Sequence, residues 1–240
     1  MSATGAMAAL SPVRSSARVF AEQDQRALPL PATGELTPGQ HPLNLGENPS
    51  HDGLLYVPRG YKPGVATPLM VVLHGAGGSS RSTSYTFPLA DEFGVIILAP
   101  DSADWTWDAI LGVFGPDVAF IQTVINRTAE RCTFDRARVA LAGHSDGASY
   151  ALSLGISAGE LFRHIIAFSP GVCTPSTERG TPRIFISHGT EDQTMPINDT
   201  SRKIVRQLKS RGYEVTYREF KGRHNVPAPI AREAFEWFMR

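Results

Sequence analysis

The stretch VALAGHSDGASYALSL (residues 139–154) decides how the rest of this chain is read. Residues 139–142 form a short apolar run with no polar break and read as a buried strand, while residues 148–154 read as a helix. Between them, Gly143-His144-Ser145-Asp146-Gly147 matches G-x-S-x-G, with glycines where a side chain would clash in a sharp strand-to-helix turn. Such a turn lifts the serine hydroxyl above the sheet and sets it beside the free N–H groups of a helix N-terminus. An ordinary Gly-rich turn matches the same five residues equally well. What surrounds the motif must therefore decide.

Outward from this stretch, short apolar runs alternate with helical patterns. The runs are residues 54–57, 69–73, 95–98, 139–142, 165–168, 184–186 and 215–220. Several are rich in Val and Ile, as strands covered on both faces of a parallel sheet must be. In 117–131, Val118, Ile121, Val124 and Ile125 share one helical face, and in 201–211 Ile204, Val205 and Leu208 do the same. Phe235, Trp237 and Phe238 mark a docked helix in 228–240. Strands and helices taking turns predict an α/β fold: a doubly wound, mostly parallel sheet with helices on both faces and an antiparallel start. No repeat is visible, and residues 41–240 are expected to form one domain.

Residues 1–40 carry Pro29, Pro31 and Pro38 without sustained periodicity and are expected to be a poorly ordered lead-in. Residues 1–21 contain Arg14 and Arg18 and no acid, which faintly suggests a targeting peptide. Their longest apolar piece, residues 6–10, falls short of a secretory core of roughly 7–15 residues. Cys132 and Cys173 form no disulfide framework and are expected to be free, at opposite edges of the sheet. The default expectation is the cytoplasm. Lys plus Arg equals Asp plus Glu at 23 each, so there is no basic excess to hold nucleic acid or an anionic membrane. No apolar run approaches the ~20 residues that span a bilayer. Nothing in the sequence speaks to the oligomeric state.

A second Gly-rich turn, His74-Gly75-Ala76-Gly77-Gly78, follows the run 69–73. Its spacing fits neither G-x-G-x-x-G nor a phosphate loop with its Lys. It suits acyl transfer, in which two preorganised backbone donors stabilise an oxyanion. The N–H groups of Ala76 and Asp146 are the candidates.

A serine hydroxyl needs a base, and the base needs an acid to orient it. After the run 184–186 comes His188-Gly189-Thr190-Glu191-Asp192, and after 215–220 comes Gly222-Arg223-His224. The order Ser145, Asp192, His224 places all three on loops at the carboxyl edge of a parallel sheet. Glu191 competes with Asp192 for the acid's place. His74, His144 and His188 stand at loop-shaping positions, and His41, His51 and His164 have no catalytic context. No pair has metal-ligand spacing, so neither metal nor other cofactor is expected.

These motifs, spread from Gly53 to Arg240, resemble those of the phospholipase/carboxylesterase family that includes acyl-protein thioesterases. They also resemble the neighbouring polyhydroxybutyrate-depolymerase and feruloyl-esterase-like group. The resemblance implies an α/β-hydrolase fold and hydrolysis of a small-molecule or acyl ester, or a thioester, through an acyl-enzyme. Ser145 would attack, His224 would carry the proton and Asp192 would hold the imidazole. Asp146 stands where relatives often carry Gln or Ala, and it is expected to face away from the oxyanion and cap the following helix. Gly77, Trp105 and Trp107 are the candidate substrate contacts, Trp107 being equally readable as a plug beneath its loop. Residues 170–182, about a dozen, are too few for a cap domain. The fold also hosts cofactor-free haloperoxidases, dienelactone hydrolases, which Ser rather than Cys at 145 disfavours, and non-catalytic ligand-binding proteins, which the intact Ser–Asp–His set disfavours.

Overall fold

In the computed structural model, which describes residues 36–44 and 52–240, the apolar runs become strands of one eight-stranded sheet. The strands are β1 (Gly39–Pro42), β2 (Gly53–Val57), β3 (Thr67–Leu73), β4 (Ile96–Pro100), β5 (Phe134–His144), β6 (His164–Phe168), β7 (Arg183–Gly189) and β8 (Val215–Phe220). They lie in the order β1-β2-β4-β3-β5-β6-β7-β8. Strand β2 runs antiparallel to β1 and β4, and the remaining pairs are parallel. The helices are α1 (Phe87–Phe93), α2 (Asp108–Leu111), α3 (Pro116–Arg131), α4 (Asp146–Ser157), α5 (Ser201–Ser210) and α6 (Ala228–Phe238), with a 3-10 segment at Ser80–Thr86.

Alternation along each strand splits the core in two. Leu69, Val71 and Leu73 of β3 join Val118 and Ile121 of α3, Ala151 and Leu154 of α4, and Ile204 and Leu208 of α5. Met70 and Val72 face the other way, onto Ala90 of α1 and Phe235 and Phe238 of α6. Buried on both sides, β3 is apolar at nearly every position, which is why its run stood out in the sequence.

Two boundaries differ from expectation. Gly39 and Gln40, assigned to the lead-in, belong to β1, which pairs with β2 through Gly39↔Val57 and Pro42↔Leu54. Residues 1–35 of the lead-in, and with them the targeting reading of residues 1–21, lie outside the described residues. Strand β5 starts at Phe134, not Val139; residues 135–138 are polar or exposed, so no apolar run announced them.

The turn from β5 into α4 is set by close backbone approaches. A Cβ on Gly143 would stand 2.3 Å from the carbonyl of Gly147, and one on Gly147 would stand 2.4 Å from the His74 oxygen and 2.5 Å from that of Leu73. Both positions must be bare. Between them Ser145 takes φ 58°, ψ −122°, a region that L-residues rarely enter.

On α4, Ser149, Ser153 and Ser157 recur every four residues along one stripe. Each hydroxyl donates to the carbonyl four residues back, at 3.2, 2.8 and 2.8 Å. Their oxygens then accept N–H groups of Gly171, Thr174 and Ser176 at 2.9, 2.9 and 3.1 Å. This ladder fastens the β6–β7 connection along the helix. The connection contains no helix, and no cap domain occurs among the described residues.

Gly147→Ala should therefore force helix and strand apart. Overpacking of this kind costs about 1–3 kcal/mol, and each kcal/mol lowers the melting temperature of a chain this size by about 2–4 °C. Calorimetry of the variant should show a drop within that product.

Candidate active site

Ser145 stands at the tip of the turn, pinned by its N–H to the Phe168 carbonyl at the end of β6, 2.9 Å away. Its Oγ lies 2.8 Å from His224 Nε2, and His224 Nδ1 lies 2.6 Å from Asp192 Oδ2. An ionised carboxylate only accepts, so Nδ1 carries the proton and Nε2 is free to accept from the serine hydroxyl. Asp192 and His224 come from the loops after β7 and β8. Those loops are pressed together: a Cβ on Gly189 would sit 2.3 Å from the Arg223 oxygen.

The side chain of Asp192 is fully shielded and that of His224 is 18% exposed. Asp192 Oδ1 accepts the N–H groups of Thr194 and Met195, both at 2.9 Å. Burial pushes the Asp192 carboxyl up, but the Met195 N–H and the neighbouring imidazoles outweigh it and hold the group below the usual carboxylate range. Glu191 is exposed, and only its backbone is engaged, with the Gly222 carbonyl at 2.9 Å.

The loop after β3 lies against Ser145: a Cβ on Gly75 would stand 3.3 Å from the serine Cβ. Gly77 and Gly78 spend their N–H groups on Trp105 O at 2.7 Å and Gly75 O at 3.0 Å. Among the described residues, the Ala76 and Asp146 N–H groups have no acceptor. His74 stiffens the loop, with Nδ1 donating to Gly75 O at 2.8 Å and Nε2 accepting the Ser102 N–H at 3.0 Å. Asp146 stands in the first turn of α4, where its charge suits the helix dipole, and its Oδ2 accepts the Thr106 hydroxyl at 2.8 Å. Thr106 carried no signal in the sequence.

Trp107, expected either as a substrate contact or as a plug, is fully buried, and its Nε1–H donates to the His74 carbonyl at 2.9 Å, which is the arrangement of a plug beneath the loop. Trp105 is 68% exposed, and its ring lies over Gly77, where a Cβ would meet Nε1 at 2.8 Å. Gly77 thus serves to admit that ring. Leu111, Val113 and Val172 are exposed on the loops that leave β4 and β6 at the same sheet edge.

Other titratable groups surround the site. The His144 ring lies 4.7 Å from that of His224, and burial, followed by the charge of His224, pushes its pKa down to about 4. His188 is fully buried beside Asp192. Cys132 and Cys173 are free, and burial raises their thiols to about 11 and about 12. No cluster of His, Cys, Asp or Glu among the described residues has the geometry to hold a metal.

No family model matches the chain. It is 26% identical to the presumed hydrolase MhqD of Bacillus subtilis, over 74% of this chain and 96% of that one. It is 25% identical to feruloyl esterase C of Emericella nidulans, over 70% of this chain and 66% of that one. Among solved structures, FphF, a fluorophosphonate-binding serine hydrolase of Staphylococcus aureus, superposes with a TM-score of 0.67 at 14% identity, covering 85% of this chain and 100% of its own. The sheet order, the helices on both faces and this superposition define an α/β-hydrolase fold.

His144 Nε2 and His164 Nδ1 are buried without a hydrogen-bond partner among the described residues, and burial pushes both pKa values down to about 4. Unfolded, each titrates near ~6.5. Between those values the unfolded chain binds protons that the native one does not, so stability is full above about 6.5 and is lost as the pH falls toward 4. Urea unfolding should give a lower midpoint at about pH 5 than at about pH 7, and His164→Phe should reduce the difference.

Proposed function

We propose that this chain is a serine esterase that hydrolyses carboxylic esters through an acyl-enzyme. The observation that carries the reading is the unbroken sequence of hydrogen bonds from Asp192 Oδ2 through His224 to Ser145 Oγ, at 2.6 and 2.8 Å. Its similarity to a hydrolase and a feruloyl esterase supports the same chemistry. Ser145 Oγ attacks the ester carbonyl while His224 Nε2 takes its proton. The carbonyl oxygen gains the negative charge and is met by the Ala76 and Asp146 N–H groups. Collapse expels the alcohol, which takes the proton from His224, leaving the acyl group on Ser145. Water, deprotonated by His224, then releases the acid. Asp192 keeps its charge throughout and stabilises the imidazolium.

The rim argues for esters with an apolar or aromatic group. Trp105, Leu111, Val113 and Val172 expose 68, 67, 79 and 45% of their surface at the edge where Ser145 stands. With no cap among the described residues, rates on soluble esters should follow simple saturation. Thioesters would use the same steps, as the attacked carbonyl is alike.

Release of p-nitrophenol from its short-chain esters, together with fluorophosphonate labelling, tests the reading. Ser145→Ala should abolish both, and Asp192→Asn should slow turnover by roughly 10⁴-fold because the imidazole loses its tautomer. Glu191→Gln should change little. Turnover that survives Ser145→Ala would overturn the proposal. If Trp105 faces substrate, Trp105→Ala should depress turnover of aromatic esters more than of acetates, whereas Trp107→Ala should act through stability and lower all esters alike.

A further inference from the structure

His188 has no part in the steps above, yet it touches their acid. It is the penultimate residue of β7 and is fully buried. Its Nε2 lies 2.8 Å from the Met195 carbonyl oxygen and 3.1 Å from Asp192 Oδ2, and its Nδ1 lies 2.6 Å from Ser201 Oγ. A carbonyl oxygen only accepts, so Nε2 carries the proton. Burial lowers the pKa of this imidazole, which keeps the ring neutral. Nδ1 is then an acceptor, and the Ser201 hydroxyl donates to it.

The Nε2–H is bonded to the Met195 carbonyl, and the same nitrogen lies 3.1 Å from Asp192 Oδ2, the oxygen that takes the His224 Nδ1–H. We propose that His188 is a positioning residue: it gives Asp192 Oδ2 a second donor and fixes the carboxylate plane toward His224. This rests on reading Asp192 as the acid of a serine esterase. The Thr194 and Met195 N–H groups hold Oδ1 alone, and a carboxylate pinned at one oxygen can still swing the other. His188 pins the second. Ser201, the first residue of α5 and fully buried, holds His188 in turn. The chain runs Ser201, His188, Asp192, His224, Ser145.

A neutral donor suits the task. A cation at this place would also bond to Oδ2, but it would cancel the charge that must stabilise the imidazolium. His188→Leu removes the donor, and His188→Gln returns an N–H of similar reach. Losing a hydrogen bond to a charged group should lower kcat/KM by about 10- to 100-fold in His188→Leu, with most of it regained in His188→Gln.

The deciding readout is the proton NMR resonance of the short His224–Asp192 hydrogen bond, which lies far downfield. It should shift or vanish in His188→Leu and return in His188→Gln. Should His188→Leu fail to fold, Ser201→Ala serves: it leaves Nδ1 without a donor and should move the same resonance with a smaller loss of kcat/KM. A folded variant with wild-type kcat/KM and an unmoved resonance would overturn the assignment. If the wild-type protein hydrolyses no ester, the esterase reading falls, and the resonance still reports whether His188 positions the His224–Asp192 pair.

Discussion

The backbone of Gly147 passes so near the end of β3 that a single methyl group there would lie 2.4 Å from the His74 oxygen. That approach lets the first turn of α4 sink onto the sheet, and Ser145, two residues before it, takes the strained conformation at φ 58°. The strain is held by neighbours on both sides. Phe168 at the end of β6 accepts the Ser145 N–H, and the turn's own carbonyl is taken up by Ala148 and Ser149 at 3.0 Å each. Once the hydroxyl is fixed above the sheet, the parallel arrangement of β5 through β8 brings the loops of Asp192 and His224 to the same edge without further design.

Electrostatics completes what geometry begins. The acid is buried and charged, a state that costs several kcal/mol unless donors surround it. Thr194, Met195 and His224 supply them, and His188 Nε2 lies 3.1 Å from the same carboxylate. The histidines near the site divide by environment. His224 keeps part of its ring exposed, whereas burial lowers the pKa of His144 and His188. Around them Trp105 stands exposed, while Trp107 holds its loop from below.

Much of this was legible in the sequence because the signals were of the strong kinds. Apolar runs mark strands covered on both faces, so β3, β4 and β6 were visible to within a residue or two and β7 to within three. Gly143 and Gly147 were legible because a close backbone approach admits only glycine. The misses have physical causes. Strand β1 is an edge strand of alternating exposure, and the start of β5 is solvent-facing, so neither needs an apolar run. The serine ladder of α4 reads as mere polar interruption until the β6–β7 connection is laid against it. Trp105 and Trp107 are two residues apart on one loop, and only the fold says that one indole finds the His74 carbonyl and the other finds solvent. The pairing of His188 with Asp192 depends on how the acid's loop folds back, which spacing alone does not state.

The central claim is that chemistry passes through a covalent bond to Ser145. Mass spectrometry of protein quenched in acid during steady turnover of a p-nitrophenyl ester tests it most directly. The account predicts a population heavier by one acyl group, with the added mass on the peptide that contains Ser145 and absent in Ser145→Ala. Turnover with no acylated protein even under pre-steady-state quench, or acylation at another residue that keeps pace with hydrolysis, would contradict it.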